Sequence, residues 1–138
     1  MNIKKLLIGG IAAGIVYFLL GWLVYGIMLM DFFAANHALP EPHGVDRAAP
    51  ILHFLFLGNV LLGVFLAFVF QKANVKGIAA GVTTGAAIGL LLTAGIDFTM
   101  YGLTTLANLK AVAADTAVAV VMYAIMGAVV GVVEEKMN

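Results

Sequence analysis

Four uninterrupted apolar stretches, Leu6 to Met30, Ile51 to Phe70, Ile78 to Ile96 and Ala111 to Val133, take up most of this 138-residue chain and leave it few ways to fold. A bilayer core of roughly 30 Å is crossed by about 20 apolar residues at 1.5 Å rise each. Hydrocarbon offers no water to the backbone, so segments of this length cross as helices whose amides bond internally. The sequence therefore predicts an all-α, polytopic membrane protein: a four-transmembrane-helix bundle made of two helical hairpins, forming a single domain over 1–138. The expected spans are about 6–30, 51–70, 78–96 with a helical extension to about 108, and 111–133. With 64% hydrophobic residues, 10% charged residues and a mean hydropathy of +1.11, a soluble core is excluded. Lys4 and Lys5 before an apolar run also suit a cleavable signal, but Leu6 to Met30 is far longer than a signal's apolar region and reads as a retained span.

Lysines and arginines set the orientation, because basic loops resist translocation. Lys4, Lys5, Lys72, Lys76 and Lys136 share one side, against Arg47 and Lys110 on the other. Both termini are expected in the cytoplasm, and the protein in the inner (cytoplasmic) membrane. The carboxylates sort the opposite way. Asp31, Glu41, Asp46, Asp97 and Asp115 fall toward the outside, giving an acidic outer rim.

Helix packing is legible in the glycines, since lipid tails give helices no hydrophobic push and small residues let backbones approach. Gly77, Gly81, Gly85 and Gly89 recur every fourth residue in span three, with Gly127 and Gly131 in span four. This ridge is expected to pack within one chain, with contact between two copies as the alternative. Asn59, the strongly polar side chain near mid-membrane, is expected to bond across a helix interface. Thr93, Asp97, Tyr101, Thr104 and Asn108 recur at spacings of three and four, forming a stripe that should meet water or a neighbour.

Function should lie where polar groups edge the spans, because a charge facing lipid costs at least about 2.5 to 3.5 kcal/mol near the centre. Asp31, His53, Asp97, Tyr101 and Asp115 converge on the outer rim and form the candidate binding site. Imidazoles and carboxylates are ligands for zinc, manganese or copper, so His37, His43 and His53 are the candidate metal ligands at that rim. Their spacing matches no helical ligand motif. The plainer reading is that these residues mark the water boundary, with Asp115 a first-turn acid stabilised by the helix dipole. No cofactor is assigned. Zero cysteines remove disulfides, thiolate zinc sites, iron–sulfur clusters and c-type haem, and only His53 is placed to ligate a b-type haem. The net charge of zero argues against nucleic acid.

Gly21-Trp22-Leu23-Val24-Tyr25-Gly26 near the end of span one, and Asp115 to Tyr123 leading to Gly127 and Gly131 in span four, carry a resemblance. The chain resembles an uncharacterised bacterial family of four-helix membrane proteins classed as a domain of unknown function. That resemblance implies architecture alone and brings no functional residues. The sequence itself points to a small non-enzymatic assembly or binding module with an acidic, histidine-bearing outer pocket, partnered by the bilayer and by itself (a homo-oligomer) or another membrane protein. An ion or solute transporter or channel working as an oligomer is the second reading. A membrane enzyme acting on a lipid or quinone is the third, and it lacks a nucleophile-and-base pair.

Overall fold

The computed structural model describes residues 1–36, 47 and 49–137. Helix α1 (Ile3–Leu23) starts where the Asn2 side chain accepts the Lys5 amide at 3.1 Å. It runs into one π-helical turn, Val24–Met28, closed by the Leu29 amide donating to the Val24 carbonyl at 2.8 Å. A short helix α2 (Met30–Asn36) follows. Helix α3 (Leu52–Ala73) stops at Asn74, whose left-handed backbone (φ 55°) ends it by returning the Val75 amide to the Phe70 carbonyl at 2.9 Å. Gly77, at φ 82°, lets the chain turn straight into α4 (Ile78–Leu103). Asn108 accepts the Ala111 amide and caps α5 (Leu109–Lys136).

Four of the described helical segments are long and apolar enough to cross a membrane: Ile3–Met28, Leu52–Ala73, Ile78–Leu103 and Leu109–Lys136. Two details depart from the sequence reading. The first span does not stay one regular helix to Met30, because the π turn and the break at Leu29 set α2 apart. Helix α4 ends at Leu103, short of about 108, because Thr104 adopts an extended backbone and its hydroxyl donates to the Met100 carbonyl at 2.8 Å. Asn108, the last polar residue of the stripe, caps α5 instead.

Helices α1 and α3 pack as one pair and α4 and α5 as another, and α1 lies against α5 to join the two. Small residues govern both pair interfaces. A Cβ at Gly10 would sit 2.6 Å from the Val64 Cα, and one at Gly63 would meet the Gly10 carbonyl. In the second pair, Cβ atoms at Gly81 and Gly85 would collide with the carbonyls of Gly127 and Tyr123, and one at Gly131 with the carbonyl of Gly77. Gly89 lies against Ala119 and Tyr123. The Gly77 amide also donates to the Gly131 carbonyl at 2.9 Å, an interhelical backbone bond that this close approach permits. Such backbone proximity supplies dispersion contact in a medium where apolar burial gives none.

Helix α5 is the axis of the bundle. Ala119, Tyr123, Met126 and Val130 on it meet Ala13, Leu66, Ala67 and Phe70 in a buried core. Tyr17 of α1 meets Tyr123 edge-on, with ring centroids 5.4 Å apart. At the end carrying the termini, a polar knot replaces apolar packing. Lys5, 9% exposed, donates to the Glu134 carbonyl at 3.2 Å and stands 3.9 Å from its carboxylate. Gln71 donates to Glu134 Oε1 at 3.0 Å and exchanges hydrogen bonds with the Asn2 backbone. Three helices are thereby tied by side chains far apart in sequence.

Candidate functional site

At the opposite end of the bundle a cavity of about 290 Å³ opens between the last turns of α4, the first turns of α5 and the π turn of α1. Met100, Leu106, Ala111 and Val112 make its walls apolar, and Asp97 and Asp115 bring carboxyl groups into it. The π turn matters here because it follows Leu23 and carries Tyr25 to face α5. The Tyr25 hydroxyl donates to Asp115 Oδ1 at 2.5 Å, and its ring lies 5.3 Å from that of Phe33 on α2. Helix α2 is in turn held by Asn108, whose amide nitrogens donate to the Asn36 backbone carbonyl (3.3 Å) and side-chain oxygen (2.8 Å).

Asp97 of α4 and Asp115 of α5 line the same cavity from two helices packed against each other. Asp97 Oδ2 and Thr116 Oγ1 are buried and have no hydrogen-bond partner among the described residues. Two neighbouring carboxylates repel unless a proton or another cation sits between them. The arrangement can therefore hold positive charge, with Tyr25 fixing the Asp115 carboxyl and one oxygen of Asp97 buried without a partner.

The stripe read from sequence lines this cavity with Asp97, Tyr101 and Thr104, while Asn108 turns to capping. Other candidates lie elsewhere. Asp31 is exposed in the first turn of α2, and His53 is exposed near the start of α3 with its ring 4.6 Å from Phe54; neither lines the cavity. Two helix placements explain this: α2 diverts the chain at Leu29, and α3 packs on α1 and α5 without substantial contact with α4. His37 and His43 lie outside the described residues. Among the described residues no group of three or more His, Asp or Glu side chains could hold a metal ion. Asp115 is not a first-turn acid, because α5 starts at Leu109 and its dipole-facing turn carries no carboxylate. Asn59 does not bridge helices: its amide donates to the Leu55 carbonyl of its own helix at 2.7 Å.

The role of Tyr25 as a donor, and the Lys5–Glu134–Gln71 knot, escaped the sequence reading. No local spacing signals either, since each joins residues from distant helices. The one available hint was that a tyrosine inside an apolar span needs a partner for its hydroxyl.

These helices and this cavity define a multi-pass helical membrane protein of undetermined activity. The chain belongs to the family described as protein of unknown function (DUF1761), which matches residues 8–131. Comparison with curated proteins and with solved structures gives no match.

Proposed function

We propose that this protein is a non-enzymatic binding module of the inner membrane, with both termini in the cytoplasm and the Asp97–Asp115 cavity facing outward. Its ligand is a small cation or the cationic end of an amphiphile. The observation that carries this reading is the placement of both Asp97 and Asp115 in one largely apolar cavity, with one carboxylate oxygen left without a partner. Tyr25, Phe33 and Tyr101 add aromatic surface, which favours an organic cation over a strongly hydrated ion. Among the described residues no histidine lines the cavity.

Transport by one chain is opposed by the core. Between Tyr123 and Glu134, roughly 16 Å along α5 at 1.5 Å per residue, the interior is filled by Met126, Val130, Leu66 and Phe70. No polar relay crosses that dry layer among the described residues. Helix α4 packs chiefly on α5 and leaves Leu90, Leu91, Ile96 and Phe98 exposed, which suits lipid or a second copy as its neighbour. The test of the binding reading is equilibrium binding of an alkylammonium probe to purified protein, with Asp97→Asn and Asp115→Asn as variants. Saturable binding lost in both supports it; equal uptake by wild type and both variants overturns it.

A further inference from the structure

A second pocket, of about 210 Å³, lies at the end carrying the termini, between the start of α1 and the turn from α3 to α4. Asn2, Lys5, Gln71, Asn74, Lys76 and Glu134 line it. Its character is the reverse of the acidic cavity, with two lysine ammonium groups against one carboxylate and the amide side chains of Asn2 and Asn74 free to donate. Glu134 is already engaged: Gln71 donates to Oε1, and Lys5 faces Oε2 at 3.9 Å, beyond hydrogen-bond length. Lys5 spends one of its three N–H groups on the Glu134 carbonyl. Lys5 is a buried residue whose ammonium is only loosely paired, and a buried charge so incompletely matched is stabilised by a further anionic oxygen. Lys76, exposed on the turn, supplies a second cation at the pocket mouth.

We infer that this pocket binds a phosphate group, with Lys5 and Lys76 as its cationic ligands and Asn2 and Asn74 as neutral donors. Its position at the end of the apolar spans suits the phosphate of an anionic lipid headgroup, because basic recesses between transmembrane helices hold such groups. Free phosphate shares the chemistry and is the other source. The site is independent of the acidic cavity, since no residue lines both.

The experiment measures thermal stabilisation and direct binding in neutral detergent. The probes are a short-chain phosphatidylglycerol, a diacylglycerol of the same chain length, and inorganic phosphate, tested on wild type, Lys76→Gln and Lys76→Arg. Because Lys76 is exposed, Lys76→Gln should fold normally even if variants of Lys5 do not. Saturable binding of phosphatidylglycerol but not diacylglycerol is expected, weakened roughly fivefold by Lys76→Gln, as for loss of one basic residue at a membrane surface, and restored by Lys76→Arg. Competition by millimolar phosphate would assign the site to the free anion, and no competition would assign it to the headgroup. Equal binding of both lipids with no response to phosphate, or binding unchanged in Lys76→Gln, would overturn the proposal.

Discussion

The Tyr25 hydroxyl reaches from the π-helical turn of the first span to Asp115 of the last, 2.5 Å away, and joins the two helix pairs beside the acidic cavity. Asp97, from α4, lines the same cavity as both partners of this bridge. Removing the donor while keeping the ring isolates its contribution. Tyr25→Phe should lower stability by about 1–3 kcal/mol, the cost of leaving a charged acceptor without its partner. Thermal unfolding in detergent measures this, and a melting temperature equal to wild type would mean the bond carries no weight.

Neutralising Asp97 should act in the opposite sense on stability. Its Oδ2 is buried without a partner, and an amide in its place can donate to Asp115. Asp97→Asn is expected to keep or raise the melting temperature while weakening cation binding at least about tenfold, a fall of about 1.4 kcal/mol. A variant that lost stability and binding together would indicate a purely structural aspartate.

The glycine interfaces give a contrast within one protein. Leucine at Gly81 or Gly127 would drive a side chain into the opposing backbone, whereas Gly58 and Gly95 have open space around the position of a Cβ. Gly81→Leu and Gly127→Leu should each cost more than about 3 kcal/mol, the upper end for overpacking, while Gly58→Leu and Gly95→Leu should stay within about 0.5 kcal/mol of wild type, the usual range for surface changes. Chemical unfolding of the four variants side by side decides it, and similar losses in all four would contradict the packing.

Lys5 and Glu134 form a buried pair, and breaking it should be worse than removing it. Glu134→Leu alone leaves a buried ammonium and is expected to cost about 3–5 kcal/mol, whereas Lys5→Met combined with Glu134→Leu should recover most of that loss. The measurement is a double-mutant cycle on unfolding free energy. Additive losses would show that the two side chains act independently.

Orientation is open to a direct test because the chain has no cysteine. A cysteine placed at Thr105, in the connection between α4 and α5, should react with an impermeant maleimide added to intact cells, and one placed at Asn74 only after permeabilisation. The reverse pattern would turn the acidic cavity toward the cytoplasm.

The span count, the helical class and the ridges of small residues follow from composition and period alone. Leu6 to Met30 and its three counterparts leave the backbone no alternative in hydrocarbon but to close its own hydrogen bonds, and that is a local requirement. The stripe through Asp97, Tyr101 and Thr104 was legible for the same reason, because a helix of known pitch fixes which residues share a face. Which stripe meets which neighbour is not local. Tertiary packing set α3 against α1 and α5, away from α4, and removed His53 from the acids, while the break at Leu29 carried Asp31 away on α2. The same packing brought Tyr25 to Asp115 and Lys5 to Glu134. Periodicity records how a helix divides its own faces, but pairing between helices is fixed by which surfaces fit, and that information exists only once the bundle has closed.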